Sequence, residues 1–249
     1  MPFTISHTAA VIPFFRWKRL DPLALVIGSM APDFGYFVHQ FSFAGHSHSL
    51  VGSLTLALPV ASVAWLLCRC FAGFLTGPLP DRLGTMMREF FTRAKWQVSA
   101  PFWIVLSLLL GIWTHTILDS FTHDTGWVVR RVAFLNESWP WPFYRLLQHL
   151  ASLLGMLVLA MIYWRWQSER PGRVRMDTKG ILLVVVVIAA VLLAIPSALS
   201  YASDFVGYRQ MRVFIVRWIV NSMALSAGGY FVLAVVLAWR TRGRAGITS

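Results

Sequence analysis

The sequence predicts an all-α integral membrane protein with about five spanning helices plus an N-terminal helical hairpin or re-entrant element. Of the 249 residues, 57% are hydrophobic and only 13% charged, with a mean hydropathy of +0.63. A soluble domain carries roughly 25% charged residues, so much of this surface cannot face water. Five apolar stretches are long enough to cross a hydrocarbon core of about 30 Å, which takes roughly 20 helical residues. The 22 Lys and Arg residues, set against 10 Asp and Glu for a net charge of +12, flank those stretches. Basic residues so placed suit anionic lipid headgroups and the positive bias of cytoplasmic loops, and they argue against a nucleic-acid partner.

In chain order, residues 1–48 form an N-terminal helical segment. It opens Met1-Pro2-Phe3-Thr4 and has no charge before Arg16, so it does not read as a cleavable signal peptide. A turn at Asp21-Pro22 separates a first apolar helix from the run Leu23–His39, which Ala31-Pro32-Asp33 interrupts. The residue before a proline is driven out of the helical region. Pro32 therefore predicts a half-buried or re-entrant element, with a full span as the alternative. The five spans follow at Ser49–Leu75, Ser99–Phe121, Tyr144–Trp166, Lys179–Tyr201 and Val213–Trp239. One membrane domain over residues 1–249 suffices, with the spans that bear the candidate site in 49–166 and two apolar ones in 179–239. Cys68 and Cys70, two apart on a helix, point apart and predict no disulfide.

Loop charges orient the bundle. With the C-terminus in the cytoplasm, the inner loops Thr76–Val98 and Gln167–Thr178 and the tail hold ten Lys and Arg residues. The outer segments Thr122–Phe143 and Ala202–Arg212 hold four, and seven once Arg16, Lys18 and Arg19 of the N-terminal region are counted outside, a modest bias. Asp33, His48 and His123 then lie on the extracytoplasmic side, while Trp96, Trp164, Trp166 and Trp239 anchor the inner interface.

The chemistry concentrates in His115-Thr-Ile-Leu-Asp119-Ser-Phe-Thr-His123. Helical residues four apart share a face and rise about 6 Å. His115 and Asp119 can grip one ion and Asp119 and His123 a second, with the two carboxylate oxygens of Asp119 bridging them. A helix end that merely reaches the headgroup zone gives the same pattern, but ionisable groups at the edge of a span are costly without a function. A hairpin at Asp21-Pro22 can return Asp33 towards His7. In that case His7, Asp33, His48 or His46, His115, Asp119, His123 and His149 converge on one membrane face, with Ile112 and Leu118 elsewhere on the helix. An H-x-H pair on extended chain points to opposite sides, so His46 and His48 are alternatives, and His48 is preferred. His39 and Asp124 read as interfacial or solvated neighbours. Imidazole with carboxylate suits zinc or another divalent metal, as one or two ions.

The opening Met1-Pro2-Phe3-Thr4-Ile5-Ser6-His7, Gly28-Ser29-Met30-Ala31-Pro32-Asp33, Ser47-His48-Ser49-Leu50 and His115-x3-Asp119-x3-His123 resemble a bacterial membrane family known as domain of unknown function 4184. That family in turn looks like the inner-membrane metal-dependent hydrolases and, more distantly, zinc-dependent phospholipase C and the S1/P1 single-strand nucleases. The resemblance implies ligands in the order His7, Asp33, His48, His115 with Asp119, His123 and His149, and a bridging role for Asp119. Two features depart from the soluble enzymes. Leu153 stands four residues beyond His149, where they carry a carboxylate, and no processing site exposes the N-terminal amine they use as a ligand.

The expected function is metal-dependent hydrolysis of a phosphoester, in a lipid or lipid-linked substrate, at the surface of the bacterial inner membrane. Asp33 and Asp119 are the candidate catalytic carboxylates, either of which could orient the attacking water. The rival is non-enzymatic: a structural metal site, or a protein that conducts or senses ions or protons.

Overall fold

Each helix begins and ends where local chemistry dictates. The computed structural model describes residues 4–38, 40–97, 100–138, 140–170 and 177–245, so His39 and the N-terminal amine lie outside the described residues. Among the described residues helices dominate, and one bridge between extended segments joins Ser138 and Pro142. Among the described residues, five helices are long and apolar enough to cross a membrane: Leu50–Cys70, Pro101–Thr122, Phe143–Ser168, Thr178–Ala202 and Gly207–Trp239. The protein is thus an all-α membrane protein. The interrupted run at Leu23 is not a span. Its helix covers only Pro22–Met30 and gives way to a 3-10 turn at Ala31–Asp33, where Pro32 stands.

The chain divides into two compact units. The first comprises Met1–Gly35, Phe41–Arg69 and Phe90–Pro171. Its N-terminal arm is a succession of short turns, Thr4–His7, Thr8–Val11 and Ile12–Arg16, rather than one helix. Asp21 then caps the returning helix, its Oδ1 accepting from the Ala24 N–H at 3.0 Å, with Pro22 in the first helical position. This buried carboxylate also joins three elements. Its Oδ2 accepts from Arg69 Nη2 at 2.7 Å and from Trp65 Nε1 at 3.3 Å on the first span, and its own N–H donates to Ser107 Oγ on the second.

Pro22–Met30 lies against the second span, Pro101–Thr122, with backbones nearly touching. A Cβ on Gly28 would strike the Leu108 carbonyl, and one on Gly111 the Leu25 carbonyl. Small residues at such crossings are how membrane helices approach closely. Leu23, Ala24, Ile27, Ala57, Ala61, Leu108 and Ile112 make the apolar core around this crossing. Gly155 does the same for the third span, letting it meet the backbone of Ser6. The outward faces stay apolar, as at Leu150, Leu153, Leu154 and Met161, which suits lipid rather than water.

The second unit comprises Tyr36–Gln40, Cys70–Glu89 and Gly172–Ser249. Its fourth and fifth spans form a helical hairpin that turns at Gly207, whose φ of +59° suits a residue without Cβ. Ala190, Ala194, Ala198 and Ala202 form a buried stripe at four-residue spacing. Trp218 donates to the Val191 carbonyl, and Asn221 to Ser197 Oγ beside Pro196. Where Asp81 begins a helix, its N–H donates to Asp177, which also caps the fourth span through Gly180.

Candidate metal centre

One face of the second span changes character along its length. Leu108 and Ile112 are buried in the apolar core, and His115, Asp119 and Thr122 continue the same face towards the helix end. Ile112 is therefore on the polar residues' own face, contrary to expectation: the stripe is continuous, apolar below and ligand-bearing above. The helix stops at Thr122. His123 is its extended cap, with φ −125° and ψ 144°, so it reaches Asp119 from beyond the helix rather than from its next turn.

Asp33, His48, His115 and Asp119 bring one donor atom each within 4.8 Å of one another, a set that could hold a metal ion. His48 Nε2 lies 3.2 Å from Asp119 Oδ2, 3.2 Å from His115 Nε2 and 3.5 Å from Asp33 Oδ1. His115 Nε2 lies 3.3 Å from Asp119 Oδ2 and 3.7 Å from Asp33 Oδ1. The other Asp119 oxygen, Oδ1, faces a separate pair, His7 Nε2 and His123 Nδ1, each at 3.5 Å. The His7 and His115 rings stack at 3.9 Å. One carboxylate thus stands between two groups of imidazoles.

Surrounding groups fix these side chains. Thr4 donates to Asp33 Oδ2 at 2.7 Å, turning Oδ1 to the cluster. The Ser29 carbonyl, 2.8 Å from His115 Nδ1, can only accept, so Nδ1 carries the proton and Nε2 presents a lone pair. Ligating histidines are commonly oriented this way. Ser47 ties the start of the first span to the proline turn through the Pro32 carbonyl.

A cation fits what these residues lack. His7 is 5% exposed, and neither ring nitrogen has a hydrogen-bond partner; buried Asp119 Oδ1 has none either. Such orphaned polar atoms are expensive unless something compensates them. Burial, seconded by the neighbouring His115, pushes the His7 pKa down to about 4, so the ring is a neutral donor. Burial likewise lowers His123, only partly offset by Asp119. For Asp33 burial acts upward, but His48, His115 and the Thr4 hydroxyl outweigh it and hold the carboxyl below its ordinary value. Neutral His7 and His123 imidazoles near the ionised Asp33 carboxylate are in the state that binding a divalent metal requires.

Not every expected residue joins. His149 is exposed, on the face of the third span turned to Trp141 at 6.4 Å between rings. A one-residue shift of register is the cause: Gln148 faces inward instead, its Nε2 3.3 Å from His123 Nε2. His46 is exposed on a helical turn with Nδ1 against the Ser42 carbonyl, and Asp124 accepts from the Thr125 N–H in the loop. Thr4, Ser29 and Gln148 were missed from the sequence. Thr4 and Ser29 carried a signal, their places in the opening motif and in the segment that ends at Asp33.

An all-helical, multi-pass membrane protein whose N-terminal hairpin and second span converge on a His/Asp cluster is the class that fold and site define. Within it, the chain belongs to the family described as Domain of unknown function (DUF4184), whose profile matches residues 1–239. Comparison with curated proteins and with solved structures finds no match. These comparisons do not support the expected likeness to zinc-dependent hydrolases.

Proposed function

We propose that this protein is a metal-dependent hydrolase that cleaves a phosphoester of a lipid or lipid-linked substrate at the surface of the bacterial cytoplasmic membrane. The observation that carries the reading is Asp119, whose two oxygens serve two groups of imidazoles. Asp33, His48, His115 and Asp119 would hold one ion, and His7 and His123 with Asp119 Oδ1 a second; zinc suits these donors best. Such ions supply Lewis acidity at a phosphoryl oxygen and make water a stronger nucleophile near neutral pH. Asp33 and Asp119 are the two carboxylates that could orient the attacking water, each with imidazoles beside it.

Access supports catalysis over a closed structural site. The side chains of His48 and His123 are 22% and 26% exposed, while His115 is fully buried. The cluster therefore has one side open, as a catalytic site needs. Incubating the detergent-purified protein with mixed phospholipids and phosphorylated lipid carriers tests the reading. Product that disappears with chelator and in Asp119→Asn is expected. Stoichiometric metal with no turnover of any phosphoester would instead make this a structural metal protein.

A further inference from the structure

We infer that Gln148 is a positioning residue that sets the tautomer of His123, and so controls whether His123 can serve the Asp119 Oδ1 side of the cluster as a ligand. The inference rests on the two-ion reading above. His123 has both ring nitrogens engaged: Nε2 with the Gln148 amide at 3.3 Å, and Nδ1 near the Asp119 carbonyl oxygen at 3.3 Å and Thr122 Oγ1 at 3.2 Å. The Thr122 hydroxyl proton goes to the Leu118 carbonyl, so that oxygen is free to accept. With no cation bound, a consistent network has Nδ1–H donating to these oxygens while Nε2 accepts from the amide NH2. Ligation through Nδ1 demands the opposite tautomer, with the proton on Nε2 and an acceptor opposite it.

An amide meets both demands. Turning it by 180° exchanges donor for acceptor at the same position, and the two orientations are nearly equivalent in shape. Gln148 is anchored for this, because Ser152, one turn on, donates to its carbonyl and the third span holds its backbone. A carboxylate in its place would favour only the ligating tautomer, and an aliphatic side chain neither. Partners of this kind typically change metal affinity by about 10–100-fold.

The test is to titrate Co2+ into the metal-stripped, detergent-purified full chain, following visible absorption for wild type, Gln148→Leu, Gln148→Glu and His123→Ala. Wild type is expected to take up two ions. Gln148→Leu should leave the first affinity unchanged and weaken the second about tenfold or more, His123→Ala should lose the second, and Gln148→Glu should hold it at least as tightly as wild type. Equal second-ion affinity in wild type and Gln148→Leu overturns the inference. So does equal weakening in Gln148→Leu and Gln148→Glu, which marks a packing role. Uptake of one ion by wild type overturns it while leaving the four-residue cluster standing; uptake of none overturns the metal reading itself.

Discussion

Asp119 does at the scale of one residue what the site as a whole requires. It is 8% exposed and flanked by four imidazoles, and its Oδ1, which accepts no hydrogen bond, suits an interior that holds a cation. Its neighbour His7 offers a measurement. A histidine whose pKa falls to about 4 on folding, from an ordinary 6.5, binds fewer protons in the folded state than in the unfolded one. Its contribution to stability is complete above 6.5 and shrinks as the pH drops towards 4. Metal-stripped protein should therefore melt at progressively lower temperature across that window, and His7→Phe should flatten the dependence; an unchanged slope would show that His7 does not cause it. The i, i+4 spacing made His115 and Asp119 legible in the sequence, since a helix imposes that geometry by itself. Gln148 and the carbonyl of Ser29 were not, because hydrogen bonds between distant segments leave no local pattern.

At the scale of elements, hydropathy located all five spans to within a few residues at most ends, because crossing a bilayer demands length and apolarity that nothing else in the chain imitates. The N-terminal arm was less legible. Its apolar residues read as one helix, but Pro13 and the turns around it divide it into three short pieces. What holds the hairpin in register is Asp21, buried and paired with Arg69. Removing one partner of such a pair strands the other charge. Asp21→Ala is thus expected to destabilise the first unit by about 3–5 kcal/mol and to lower metal retention with it, read by thermal unfolding in detergent. Retention of wild-type stability would mean that the helix crossing at Gly28 and Gly111 suffices to hold the hairpin.

For the whole molecule, the ligands all belong to the first unit, while the described part of the second supplies an alanine-lined helical hairpin with no member of the cluster. Sidedness follows from the span count and loop charges. Reporter fusions after Arg244 and within residues 130–140 should give opposite signals, with the C-terminus cytoplasmic. Identical signals would break the five-span topology and move the proposed substrate to the other leaflet.

The near contact of His48 and His115 has a consequence for biogenesis. Their Nε2 atoms are 3.2 Å apart although 67 residues separate them in the chain. At a synthesis rate of about 5–20 residues per second, the hairpin and His48 emerge roughly 3–13 s before the segment that completes the cluster. Through that interval Asp33 has Thr4 and His48 within reach but neither His115 nor Asp119, and a carboxylate with an incomplete set of partners is poorly tolerated in hydrocarbon. The nascent hairpin is thus expected to wait at the wet edge of the bilayer until the second span has inserted, and an ion held by all four residues would be captured only after that.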